Sequence, residues 1–239
     1  MKRTSCRQVL KTTYTLVALQ KGKTARIMEN KERASALIGR ARNLSAASLH
    51  EASGKRGALP AAIKPLSPAF RLCGWAFPVS SPPADNLWLH RAIYEAAAGD
   101  VLVVHISGLS EAGYWGEIMT QAAIERKLAG LVIDGGVRDS QRLIELAFPI
   151  FSRGICIRGT SKDPSGQGAL RTPVQFDDVE VRHGDLVVGD ADGVVIIPQE
   201  SATHVLEKAQ ARDAAEAVIL KRLSQGERTL DIYNLPPMH

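Results

Sequence analysis

Two short stretches hold residues that could do chemistry together. In "LVIDGGVRD", residues 131–139, an apolar run meets Gly135 and Gly136 and is followed at once by Arg138 and Asp139. In "GYWGEIM", residues 113–119, Gly113 and Gly116 precede Glu117, Ile118 and Met119. Each reads as the junction where a strand gives way to a helix. First-turn N–H groups of a helix have no internal acceptor, so the Gly116–Met119 backbone suits a carboxylate or phosphate. Paired glycines permit close backbone approach. The Arg138 guanidinium can fork onto a carboxylate, and Asp139 can cap the next helix or hold a hard cation. Arginine–aspartate pairs and aspartate caps occur in any fold, and an acid such as Glu117 suits a first helical turn for dipole reasons alone. On residue types alone, a structural salt bridge with a helix cap and a cation-plus-carboxylate site stay equally open.

Other chemistries are poorly served. There is no G-x-S-x-G elbow, no P-loop Lys-Ser/Thr and no H-E-x-x-H. No G-x-G-x-x-G-like nucleoside loop precedes an acidic strand end, which argues against methyl transfer. Cys6, Cys73 and Cys156 are far apart and form no C-x-x-C pair, so reduced thiols in a cytoplasmic protein are expected. The six histidines are scattered. His105, inside an apolar strand, reads as a satisfied core histidine, and His183, before Gly184, as an exposed turn residue.

The elements that must position these residues follow a βα rhythm. Residues 29–53 have helix-forming composition, with Asn43 or Ser45 able to break them into two helices. Residues 69–81 read as a strand ended by Pro82-Pro83. The next helix, "DNLWLHRAIYEAAAG", has Asp85 as N-cap and Gly99 as stop. "VLVVHIS" at 101–107 is a buried strand. A helix at 116–130 carries Ile118, Ala122, Ile124 and Leu128 and closes at Gly130. "LVID" is a strand ending at the glycines, and "DSQRLIELAF" a helix capped by Asp139 or Ser140. One or two short strands follow at 149–159. Beyond residue 160 the pattern changes to consecutive short strands turning at His183-Gly184 and Asp190–Gly193, then to an amphipathic helix at 199–224 that includes Val218 and Leu220. If the strands before the two junctions are neighbours, both junctions open at one sheet edge, where open α/β sheets bind ligands.

Composition bounds the rest. The 239 residues, 45% hydrophobic, suffice for one sizeable α/β core. No apolar run approaches the ~18–20 residues of a membrane helix. The net charge of +5 is local: Lys2, Arg3, Arg7, Lys11, Lys21, Lys23 and Arg26 fall within 1–27, a stretch without Asp or Glu. Without these seven, 23 basic face 25 acidic side chains. A near-neutral body argues against a nucleic-acid face. Residues 1–28 are expected to be a basic extension, disordered or not native, with Met28 as the true start; a transit-like presequence is the alternative. Residues 29–239 are expected to form a single domain.

The runs "DNLWLHRAIYEAAAGDVLVV", "GEIMTQAAIERKLAGLVIDGGVRD", "PIFSRG" with "RGTSKDP", and "VEVRHGDLVVGDADGVVIIP" together resemble the RraA-like family. That family includes 4-hydroxy-4-methyl-2-oxoglutarate aldolases with oxaloacetate decarboxylase activity and the non-enzymatic regulator of ribonuclease activity A. The resemblance spans about residues 40–225. It implies a swivelling α/β/β/α domain, assembled as homotrimers or hexamers. It also implies a divalent cation, Mg²⁺ or Mn²⁺, at Asp139, with Arg138 on the substrate and its developing oxyanion. Backbone amides of Gly116, Glu117, Ile118 and Met119 would hold the α-keto acid, and the Glu117 side chain would reach cation-bound water. A Glu on the C-terminal helix of an adjacent subunit would complete that shell, and Glu216 is the match. The implied reaction cleaves a small oxo-diacid to pyruvate through its enolate, which a Lewis-acidic cation stabilises. The alternative is a non-enzymatic regulator docking on a ribonuclease or helicase. Two departures bear on substrate preference: His50-Glu51 stand near the place of a usual early-helix Asp, and His105 stands where "VVD" is common. Tyr114 and Trp115, just before Gly116, could shape the pocket but more commonly signal packing.

Overall fold

The computed structural model describes residues 32–108 and 111–236. The basic extension and the Met28 start therefore lie outside the described residues. Residues 32–41 form helix α1. The compact unit beginning at Ala41 carries the remaining elements. In chain order these are α2 (Ala46–Ala52), β1 (Lys64–Pro65), β2 (Leu72–Ser81), α3 (Leu87–Glu95), β3 (Asp100–Ile106), β4 (Gly113–Trp115), α4 (Glu117–Glu125), β5 (Gly130–Val137), α5 (Ser140–Glu145) and β6 (Ile150–Ile155). Then come β7 (Ala169–Leu170), β8 (Val174–Phe176), β9 (Val179–Val181), β10 (Leu186–Asp190), β11 (Gly193–Ile197), α6 (Ala202–Ser224) and α7 (Thr229–Ile232). The mixed α/β fold and its long C-terminal helix match the expected class.

One sheet organises the unit, in the order β1-β6-β5-β3-β2-β10-β11. Its centre, β2, β3, β5 and β6, is parallel, as short βα units require. The last strands, β10 and β11, join it antiparallel. The two edges are drawn together by a single segment. Ala58 bridges Val195 of β11, Ile196 donates to Gly57 O, and six residues after Ala58 β1 begins its pairing with β6. The sheet is therefore a nearly closed barrel. Val101, Val103, Val132, Phe151, Val187 and Ile196 form one apolar cluster with Phe176. Residues of opposite parity, Leu102, Val104, Leu131, Ile133 and Ile150, pack with α3 and α4 in the other.

Several local expectations shift. Ser45 is the break in the early helix, and its side chain accepts from the Ser48 N–H as an N-cap. Helix α3 ends at Glu95, before Gly99, and α4 ends at Glu125, before Gly130. Lys127, at φ 58°, takes the left-handed position expected of a glycine. Leu128 N then bonds to Ala123 O and Lys127 N to Ile124 O, a Schellman closure made without glycine. Ile118 does not line the core; it is 83% exposed, and Met119, Thr120 and Ala123 are buried instead. Val218 and Leu220 on α6 are also exposed. Strand β5 does not stop at its glycines but runs through them to Val137. The reason is β4, which lies against β5 with Gly113 opposite Gly136. A Cβ on Gly136 would come within 2.7 Å of Ala112 O, so the glycine serves strand approach rather than a turn.

Candidate functional site

Strands β4 and β5 deliver the two junctions to one place. Arg138 N donates to Trp115 O at 2.9 Å, continuing the β4–β5 ladder to the residue before Gly116. Beyond it Asp139 turns left-handed (φ 58°, ψ 33°), a conformation Asp tolerates better than most residues. As N-cap of α5 it was expected to bond its own helix; it makes no such side-chain bond. Its Oδ2 instead accepts the Glu117 N–H at 3.0 Å, the first amide of α4. Asp139 thus caps the neighbouring helix and joins the two junctions. Gly116 makes this possible, because any Cβ there would collide with Asp139 Oδ2 and crowd Arg138 Cγ and Nε at 3.3 Å.

The site residues are half-open to solvent. Arg138 Nε lies 3.9 Å from Asp139 Oδ2, a loose ion pair. No hydrogen bond engages Asp139 Oδ1 among the described residues. The Glu117 carboxylate is turned to Arg142, whose Nε and Nη2 both donate to Oε1, at 3.2 and 3.1 Å. Arg142 also pairs with Glu145. The reading of the sequence overlooked Arg142; its place in the first turn of the helix after Asp139 was the available signal. Tyr114 and Trp115 are fully buried. Trp115 stacks on Phe148, and its Nε1 donates to Thr120 Oγ1 at 2.7 Å. Both aromatics are packing residues that fix the floor below Gly116.

Glu216 is not part of this constellation within one chain. It sits on α6, paired to Arg212 at 2.8 Å, and Arg212 approaches Glu51 on α2 at 4.0 Å. An open groove of about 910 Å³ lies beside α6 and the turn after α2, and none of Gly116–Met119, Arg138 or Asp139 lines it.

A second polar row crosses the sheet next door. His105, Asp134 and Arg153 each directly follow a paired residue of β3, β5 and β6: Val104 lies opposite Ile133, and Ile133 opposite Ser152. Arg153 Nε pairs with Asp134 Oδ1, and His105 Nδ1 stands 3.6 Å from Oδ2. Burial pushes the Asp134 carboxyl up, but His105 and Arg153 outweigh it and hold the group below its usual range. His105 is therefore not the satisfied core histidine expected: its Nδ1 has no hydrogen bond within normal reach. His183 is exposed, as expected, and meets the Phe77 ring edge-on.

The RraA-like model, described as Aldolase/RraA, matches residues 24–196. The chain belongs to the RraA-like family. A Halalkalibacterium halodurans relative, provisionally named a 4-hydroxy-4-methyl-2-oxoglutarate aldolase, is 35% identical over 175 residues, covering 73% of this chain and 82% of that one. A Thermus thermophilus relative named 4-hydroxy-4-methyl-2-oxoglutarate aldolase is 29% identical over 48% of this chain and 69% of its own. The crystal structure of Streptomyces coelicolor RraAS2, described as an unusual member of the RNase ES inhibitor RraA protein family, superposes with a TM-score of 0.69 at 28% identity. It covers 78% of this chain and 98% of its own. Aldolase names recur among the relatives, and both aldolases and regulators share the fold.

Proposed function

We propose that this chain is a divalent-cation-dependent carbon–carbon lyase. Its substrate would be a small oxo-diacid of the 4-hydroxy-4-methyl-2-oxoglutarate or oxaloacetate type, cleaved to pyruvate. The observation that carries the reading is the half-engaged Asp139 carboxylate. One oxygen is anchored on the Glu117 N–H against Gly116 and the other has no hydrogen bond among the described residues, with the Arg138 guanidinium alongside.

The donor set fits one kind of metal site and not another. Among the described residues no cluster of three or more His, Cys, Asp or Glu side chains could cage an ion. A closed structural zinc site therefore does not fit. A hard Mg²⁺ or Mn²⁺ that keeps most of its waters and uses one carboxylate does. Bound at Asp139, such a cation would supply Lewis-acid stabilisation of the pyruvate enolate. Arg138 contributes fixed positive charge where the carbonyl oxygen gains negative charge as the C–C bond breaks. The Glu117 N–H is already committed to Asp139, which leaves the next first-turn amides, Ile118 and Met119, to hold the keto-acid carboxylate. The Glu117 side chain is positioned by Arg142 at the edge of the site and serves as proton relay. No lysine is needed to form a Schiff base. Glu216 enters from a neighbouring subunit of a homotrimer or hexamer. No helix among the described residues is long and apolar enough to cross a membrane, and we place the protein in the cytoplasm.

The test is a coupled pyruvate-release assay on oxaloacetate and 4-hydroxy-4-methyl-2-oxoglutarate with Mg²⁺ or Mn²⁺, against EDTA. Turnover should require the cation and disappear in Asp139→Ala and Arg138→Ala. Full activity in Asp139→Ala removes the site assignment. The likeness to the RNase-inhibitor structure favours a second reading, a regulator that docks on a ribonuclease or helicase. Tight binding to such a partner, with no turnover of any oxo-acid, would select it.

A further inference from the structure

The amide cradle at the start of α4 is held by more than its own helix, in which Thr120 N donates to Gly116 O. It is held from below by three residues that precede α3. Asn86, 5% exposed, donates from Nδ2 to Tyr114 O at 2.9 Å and reaches Met119 Sδ at 3.4 Å. One side chain therefore bridges the strand residue before the cradle and the helix residue that ends it. Ala84 N donates to the Tyr114 hydroxyl at 2.9 Å, so Tyr114 is gripped at both its carbonyl and its ring oxygen. Asp85, between them, is 3% exposed and ties down the opposite side. Its carboxylate accepts from Leu87 N, Ser161 Oγ and Asp163 N, at 2.9, 2.9 and 2.6 Å. Burial pushes the Asp85 carboxyl up, but these donors outweigh it and keep the group below its ordinary range, ionised and anchored. Two further features mark the segment as built for placement rather than comfort. Ala84 sits at φ 54°, a left-handed conformation with a steric cost for a residue bearing Cβ. Asn86 Oδ1 is buried without a hydrogen-bond partner, while Nδ2 takes the two acceptors.

We infer that Asn86 is a positioning residue for the proposed reaction: it sets the register of the Gly116–Met119 amides against Asp139 through its bridge from Tyr114 O to Met119 Sδ. The inference rests on the reading of that backbone as the keto-acid cradle. Asn86 touches no reacting atom in this account. Loss of the bridge shifts the Ile118 and Met119 amides that hold the substrate carboxylate, while Arg138 and Asp139, which follow directly on β5, keep their backbone positions and the Glu117 N–H stays on Asp139.

The experiment is steady-state oxaloacetate decarboxylation with Mn²⁺, alongside Mn²⁺ affinity by electron paramagnetic resonance without substrate and the thermal midpoint of each protein. Asn86→Ala and Asn86→Ser are compared with Ser161→Ala, which loosens the same hub on the side away from the cradle. Both Asn86 variants are expected to raise KM by about tenfold or more, with kcat changed far less and Mn²⁺ affinity kept. Ser161→Ala should lower the midpoint without moving KM. If Asn86→Ala fails to fold, Asn86→Ser supplies the measurement. Unchanged KM in a folded Asn86 variant overturns the inference. So does a KM rise that Ser161→Ala reproduces for an equal loss of midpoint, since that would be general loosening. Wild-type protein without cation-dependent turnover is a different result, because it defeats the proposed function itself before Asn86 is tested.

Discussion

Asp134 and Asp139 stand in one nine-residue stretch, and each has an arginine within ion-pairing reach. Asp134 lies within β5, where flanking strands bring Arg153 to one carboxylate oxygen and His105 close to the other. Its side chain is 14% exposed. Asp139 lies past the strand end, 41% exposed, with one oxygen on a backbone amide and its arginine at 3.9 Å. A carboxylate with one oxygen in an arginine ion pair and the other covered by an imidazole has little affinity to offer a metal ion. A carboxylate held at one oxygen and free at the other is oriented and still has a lone pair to give. The sheet thus makes a structural aspartate and a candidate ligand from the same residue type, and the difference lies in whether a neighbouring strand is present.

Substitutions that treat the two alike should expose the contrast. The largest effect is expected from Asp139→Ala. Cation-dependent pyruvate release should fall by about a thousandfold or more, with only the modest drop in thermal midpoint that losing the cap on the Glu117 N–H brings. Asp134→Asn should do the reverse, costing about 1–3 kcal/mol in urea unfolding while folded protein keeps its turnover. Equal loss of activity in both variants would erase the distinction. Gly116→Ala comes next. The added methyl must displace the Asp139 carboxylate, and kcat/KM should fall by about a hundredfold. The pH dependence is smaller. A carboxyl held below its ordinary range stabilises the fold above that range, and the contribution is lost as pH falls through it. Wild-type stability should therefore drop as pH is lowered through roughly 4 and below, with a shallower drop in Asp134→Asn. Arg142→Gln is expected to do least. Its ion pairs with Glu117 and Glu145 are half-exposed, so the midpoint should not move, and turnover should change only a few-fold.

The same contrast explains what could be read from the residues in order. The near-continuous apolar runs "VLVVHIS" and "LVID" read as buried strands, and the change to short strands beyond residue 160 is visible in its turn residues. Arg138, Asp139 and the Gly116 helix start could be chosen as a set, and the structure brings them together. Which helix Asp139 caps could not be read, because the choice depends on β4 lying beside β5, a pairing no local pattern encodes. The Gly135-Gly136 pair looked like a strand end for the same reason. Ile118 is exposed because α4 turns Met119, Thr120 and Ala123 to the core, and the helix, six residues shorter than its apolar spacing suggested, closes at Lys127 in a conformation usually reserved for glycine. Arg142, Arg153 and Asn86 act through partners 19 to 33 residues away, and that distance hides them.

The segment at 57–65 closes the barrel from both sides, bonding β11 with one end and β6 with the other. Detaching it would bare two unpaired strand flanks in a single event, each able to recruit a strand from another molecule. This short stretch therefore covers both flanks at once, and a nick there should be more damaging than its small share of the core suggests.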